Sequence, residues 1–264
     1  AELGGKGDLD LSKISKGNLI DLNFLKTVTK ADDLKAKVYD LPENSNVPSA
    51  FDGKTFMLTA SADILPGTAK NDIFVATEDT LTSNDKLNGG QGQDTLDIVD
   101  RDGIKFNGFE ANSIETIKVT ADSTNLATPA TRVDLTYATD ATKLVNANSS
   151  QDLTFDAIDT VPVKGLELTK VTGGNTELDF EATAVVGTAD VLNVKLDNVK
   201  STTNEAASSI IANGIETVNV TTTGTESKLV DIQANQTKVV IAGDKNLTID
   251  NGATTILATT TTID

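Results

Sequence analysis

The sequence predicts an all-β chain folded as a calcium-binding β-solenoid, of the β-roll or β-helix kind. Three observations carry this. Gly89-Gly90-Gln91-Gly92-Gln93-Asp94-Thr95-Leu96-Asp97 fits the nonapeptide G-G-x-G-x-D-x-U-x at every specified position, U being apolar. Beyond Arg101, short runs rich in Val, Ile and Thr alternate with Asn, Asp and Gly turns. Several blocks of sequence also recur in the same order, which points to a solenoid or an array of tandem units.

Composition narrows the function classes. A chain of 264 residues is long enough for one large domain or two smaller ones. With 38% apolar residues, 4% aromatic and no Trp, it suits a narrow stacked core of Leu, Ile and Val. The formal charge of −17 repels nucleic acid and anionic membrane surfaces and attracts divalent cations. Nucleic-acid binding is excluded on that ground. The absence of Cys rules out disulfides and thiolate sites. The absence of His rules out histidine–zinc sites and any nucleophile activated by histidine. No stretch approaches the ~20 apolar residues of a membrane span. The first residues do not read as a signal peptide, and Ala1 in place of an initiator methionine raises the expectation of a piece of a longer protein.

Residues 1–54 read as a cap or linker segment. Gly4, Gly5 and Gly7 open it loosely, and Leu19, Leu22, Val28, Leu34, Val38 and Leu41 fall near helical spacing. Thr29 or Asp32 could cap a short helix over residues 33–39, although Thr27-Val28-Thr29 fits a strand equally well. Pro42 and Pro48 then interrupt regular structure.

Residues 55–100 form the expected calcium segment. In the nonapeptide the glycines turn the backbone tightly and aim carbonyls at a cation, and Asp94 adds a hard carboxylate oxygen. Nine residues upstream, Asp85 and Leu87 stand in register with Asp94 and Leu96. Asp63 and Asp72 are also nine apart. The candidate ligands are thus the carboxylates of Asp94 and Asp85, carbonyls around Gly89, Gly90 and Gly92, and secondarily Asp63 and Asp72. The competing reading is a set of acidic turns in which each Asp closes an Asx-turn.

Residues 101–186 and 187–264 read as two β-repeat units, the second incomplete. Ser113-Ile114-Glu115-Thr116-Ile117-Lys118-Val119-Thr120 returns as Gly214-Ile215-Glu216-Thr217-Val218-Asn219-Val220-Thr221. Asp94-Thr95-Leu96-Asp97-Ile98 returns as Asp190-Val191-Leu192-Asn193-Val194. Thr142-Lys143-Leu144-Val145 with Leu153-Thr154-Phe155 returns as Thr237-Lys238-Val239-Val240 with Leu247-Thr248-Ile249. The strands alternate, Ile117 and Val119 sharing one face as Val218 and Val220 do. Thr between them suits a solvated β surface, or a face for ice or glycan if the spacing were regular, which it is not. The second unit ends before any counterpart of Gly165-Leu166-Glu167-Leu168-Thr169, so a longer parent chain is expected.

Taken together, T-A-S-A-D-I-L-P-G-T-A-K-N-D-I-F at 59–74, D-K-L-N-G-G-Q-G-Q-D-T-L at 85–96 and I-E-T-I-K-V-T at 114–120 resemble the repeats-in-toxin surface proteins of Gram-negative bacteria. The resemblance is to the surface-layer type of Caulobacter and Campylobacter. It covers roughly residues 57–122, with an echo at 187–223. It implies a right-handed calcium-binding solenoid, type I export through a C-terminal signal, and self-association in a two-dimensional lattice on the cell surface. Cell-surface polysaccharide or lipopolysaccharide would be contacted through other parts of such a protein. The chain departs from the fuller pattern in having one intact nonapeptide, so few calcium ions are expected, and no C-terminal export signal is identifiable.

The mechanism expected is electrostatic. Asp85, Asp94 and Asp97 would repel until extracellular calcium closes the turns and couples binding to folding. A structural surface-layer piece is the first functional reading and an adhesin stalk of the same repeat type the second. Enzyme activity is not expected. H-E-x-x-H and G-x-S-x-G are absent, and the only arginines, Arg101 and Arg132, read as surface ion-pair partners.

Overall fold

A computed structural model describes residues 52–123, 130–200, 208–234 and 236–249, together with a short strand at Thr262–Ile263. The cap segment expected over residues 1–54, with its candidate helix, lies almost entirely outside the described residues. In chain order the strands are β1 (Asp52–Met57), β2 (Ile64–Thr68), β3 (Asn71–Thr77), β4 (Lys86–Gly90), β5 (Thr95–Asp100), β6 (Lys105–Phe106) and β7 (Glu110–Asn112). Next come β8 (Thr116–Ala121), β9 (Thr131–Asp134), β10 (Lys143–Ala147), β11 (Leu153–Ile158), β12 (Gly165–Thr169), β13 (Thr176–Phe180) and β14 (Val191–Asp197). The last are β15 (Ser209–Ala212), β16 (Thr217–Thr223), β17 (Ser227–Leu229), β18 (Asp231–Ala234), β19 (Lys238–Gly243), β20 (Leu247–Ile249) and β21 (Thr262–Ile263). The described residues contain no helix and form a parallel β-solenoid of about 8 turns.

One face runs the length of the stack as a ten-stranded sheet, in the order β1-β3-β5-β8-β10-β12-β14-β16-β19-β21. Its pairs are parallel, because the chain leaves this face, crosses one or two others and returns one rung further on. The return path changes along the stack. Early coils come back through the three-stranded sheet β2-β4-β7, and later ones through the six-stranded sheet β6-β9-β11-β13-β15-β18. The β17-β20 pair adds a further short face in the last coils.

Alternation decides what goes inside. Phe74, Leu96, Ile117, Leu144 and Leu166 occupy matching positions on successive strands and are all buried. They face Phe106, Val133, Phe155 and Leu178, stacked in the same way on the six-stranded sheet. A few inward positions are polar, Thr222 beside Leu196 among them. Asn146 takes the place between Val119 and Leu168, and its Nδ2 donates to Thr176 Oγ1 at 2.7 Å. Outward positions carry charges that pair between coils, such as Lys118 with Asp97 at 2.8 Å.

All three sequence repeats have one structural period. β5 and β14, β8 and β16, and β10 and β19 each stand four strands apart in the long sheet. The correspondence lapses only at the second half of the third block, since Leu153-Thr154-Phe155 lies in the six-stranded sheet and Leu247-Thr248-Ile249 in the two-stranded one. The stack continues across residues 100 and 186 without a break in the long sheet.

Candidate functional site

The acidic residues singled out by the nonapeptide lie on two columns. Residues stacked on one another are 22 apart, while the nine-residue spacing links the two columns within one coil. Along the first column the Asp63 N–H donates to Asp85 Oδ1 at 2.8 Å. Asp85 Oδ2 accepts from Thr82 N at 2.7 Å, and Asp63 Oδ2 from Thr59 N at 2.7 Å. These carboxylates close their own turns and brace the coil beside them.

The second column forms the corner where the chain enters the long sheet. Asp72 accepts from Lys54 N and from Thr68 N, each at 2.5 Å. The Asp72 N–H donates in turn to Asp94 Oδ1 at 2.6 Å, and the Asp94 N–H to Glu115 Oε2 at 2.7 Å. A carboxylate from each coil thereby binds the backbone of the coil before it.

The glycines serve this close stacking. A Cβ on Gly92, whose φ is +131°, would meet the Lys70 backbone of the preceding coil at 2.6 Å. Gly90 is likewise at positive φ, against the Thr68 carbonyl. Gly89 is packed as closely: a Cβ there would collide with the Ser113 carbonyl oxygen and Asp94 Oδ2, as one on Gly53 would with the Asn71 carbonyl and Asp72 Oδ1. The nonapeptide thus brings Gly89 and Asp94 together, while Asp85 and Asp63 stand on the other column.

Asp94 is the exception among these carboxylates. It is 0% exposed, and its Oδ2 is buried without a hydrogen-bond partner. Burial, reinforced by the Glu115 and Asp72 carboxylates, pushes Asp94 above the usual carboxylate range despite the N–H bond from Asp72. For Asp72, burial works in the same direction but is outweighed by the Lys54 and Thr68 donors, which hold it below that range. None of the ion pairs among the described residues reaches Asp94 or Glu115. Asp97, expected to crowd Asp94, faces outward and pairs with Lys118.

A calcium donor set therefore fits unevenly. At Asp94 one carboxylate oxygen is unused, and with the Ser113 carbonyl packed against the same glycine it offers two of the several oxygens a hard cation takes. At Asp63, Asp72 and Asp85 both carboxylate oxygens already accept hydrogen bonds. Among the described residues no three acidic side chains converge on one point.

Further along the corner, the residue immediately before each long-sheet strand reads Asp94, Glu115, Thr142, Lys164, then Asp190, Glu216, Thr237. The hydrogen bonds repeat with the residues. Asp190 N–H donates to Glu216 Oε2 at 2.9 Å, as Asp94 does to Glu115, and Asp190 Oδ2 is again buried without a partner. The Glu115 carbonyl accepts from Thr142 N and Lys143 N, and the Glu216 carbonyl from Thr237 N and Lys238 N. Sequence reasoning did not single out Glu115, Asp190 or Glu216 as site residues. The signal was the repeated I-E-T block, whose glutamate stacks on the aspartate of the repeated D-x-L block.

Comparison with known protein families, curated proteins and solved structures gives no match. The resemblance to surface-layer repeats rests on the quoted residues alone.

Proposed function

We propose that this chain is a non-catalytic structural segment of a calcium-dependent bacterial surface layer, secreted and assembled outside the cell. The observation that carries the reading is the uninterrupted parallel stack with the nonapeptide at one of its corners, where buried Asp94 keeps an unused oxygen. A stack of this kind is stiff and extendable, and its outward faces carry inter-coil ion pairs such as Lys143–Glu167 and Arg132–Asp156. The absence of His and Cys supports a scaffold over a catalyst.

Calcium, when bound, supplies the positive charge that a buried carboxylate lacks. Asp94 would hold it with the Ser113 carbonyl. Gly89 lets both oxygens pack against its Cα, the amide of Asp72 fixes the Asp94 carboxylate, and the amide of Asp94 fixes that of Glu115. Sites of few carboxylates bind at about 10⁻⁴–10⁻³ M, so they fill outside a cell and stay empty within it.

The test is a calcium titration against magnesium, followed by circular dichroism and small-angle scattering, with electron microscopy of the calcium-loaded protein. A calcium-specific gain of strand signal or compaction, with ordered sheets on grids, is the expected result. A chain that is already folded, ignores calcium and stays monomeric would overturn the reading. The adhesin-stalk alternative would show instead as calcium-dependent folding without sheets and with binding to glycan or cells.

A further inference from the structure

We propose that the Asp94–Glu115 and Asp190–Glu216 corners are two copies of one cation site, each taking a single divalent ion between adjacent coils. This rests on the calcium reading above and extends it to residues outside the nonapeptide.

Three features of the geometry carry it. First, in both places an aspartate directly before a long-sheet strand gives its N–H to the glutamate directly before the next strand, at 2.7 and 2.9 Å. This bond holds each glutamate carboxylate against the aspartate of the coil before it, where like charges repel unless a cation or proton lies between them. Second, in both places the aspartate Oδ2 is buried with no partner, and around Asp94 the burial is complete. A buried carboxylate oxygen left bare is costly, the more so when charged. Glu78 Oε2 and Asp97 Oδ1 are bare as well, so the weight lies on the recurrence at equivalent positions of the repeat. Third, Asp94 Oδ2 and the Ser113 carbonyl oxygen both pack against the Cα of Gly89, which brings a carboxylate and a carbonyl oxygen to one place. Carboxylate and carbonyl oxygens with no nitrogen or sulfur donor are the ligand chemistry of calcium.

The other two coils of the period lack this arrangement. Thr142 and Lys164 stand at the equivalent positions, and Lys164 Nζ reaches across to Gln93 Oε1. The proposal therefore expects two ions of this class and none at the coils between.

Glu→Gln is the informative substitution, because a glutamine oxygen still accepts the aspartate N–H while the charge is lost. The full chain is dialysed to remove metal, and calcium binding is measured by isothermal titration and equilibrium dialysis. Glu115→Gln and Glu216→Gln should each remove one bound calcium, and the double variant should remove both. Exposed Glu226→Gln should leave the stoichiometry unchanged. Circular dichroism in saturating calcium identifies any variant that fails to fold, in which case Glu115→Asp and Glu216→Asp, which keep the charge and shorten the reach, should weaken binding at least tenfold. If the wild type binds calcium and the variants bind it with unchanged stoichiometry and affinity, this inference falls while the calcium reading stands. If the wild type binds no calcium, both fall.

Discussion

Asp100 closes the turn at which the chain leaves the long sheet for the start of the six-stranded one. Its side chain is 0% exposed, with Oδ1 accepting from Asp102 N and Gly103 N and Oδ2 from Ile104 N and Thr131 Oγ1. Asp100→Ala would strand four donors, so urea denaturation should show a loss of about 3 kcal/mol. A second corner carries strain. Asn148, Lys170, Asn198 and Gly224 follow β10, β12, β14 and β16, all with φ between 54 and 60°. Asparagine and glycine accept that left-handed conformation readily; lysine does so at a cost of roughly 1 kcal/mol. Lys170→Gly should therefore raise stability by up to about 1 kcal/mol, whereas Gly224→Lys should lower it, both read as shifts in denaturation midpoint. At this scale the sequence was legible where a residue type has one use, as with the inward Leu87 and Leu96, both buried. It was not legible for Asp100 or Glu115, since an acidic residue in a turn looks the same whether it is solvated or caps a neighbouring coil.

Between strands, the outward charges act through the depressed acidity of their carboxylates. Burial would raise Glu167, but Lys143 at 2.5 Å and Lys195 at 3.1 Å outweigh it and hold Glu167 below the usual range. Asp156 is held low in the same way by Lys105 and Arg132. A carboxylate lowered on folding contributes stability above its unfolded pKa, about 4, and loses it as pH falls through the folded value. The share of the thermal midpoint due to Glu167 and Asp156 should thus change little above about pH 5 and fall progressively below it. Glu167→Gln should flatten part of that slope, with a cost near neutral pH of about 1 kcal/mol or less, because half-exposed ion pairs are screened. Inside, Leu144→Ala would open a void between Ile117 and Leu166 and cost about 3 kcal/mol. Strand alternation was readable here because apolar residues at every second position suit a half-buried strand and little else. The Lys–Glu pairings were not, since the partners come from coils whose spacing varies with turn length.

For the whole molecule, the solenoid followed from the recurrence of blocks, but its pitch did not follow from the nonapeptide. A nine-residue spacing suggested adjacent rungs, whereas stacked residues such as Asp72 and Asp94 are 22 apart. The extra residues form the turns that let one chain visit two or three faces per coil, and turns tolerate length changes that a strand does not. The four-coil period was present in the sequence as unequal offsets, which hid a constant number of rungs.

That period also sets a distance. Parallel rungs lie about 4.8 Å apart, so corners four rungs from each other are separated by roughly 19 Å. That is more than twice the Debye length at physiological ionic strength, about 8 Å, so charge at one corner reaches the other only weakly. If both corners bind calcium as proposed, they should therefore fill nearly independently once the stack is formed, with affinities set by a fully buried Asp94 and a half-buried Asp190. Any Hill coefficient above one would then report the assembly of the rungs between them, making steepness in a titration a direct measure of how cooperatively the spine itself is built.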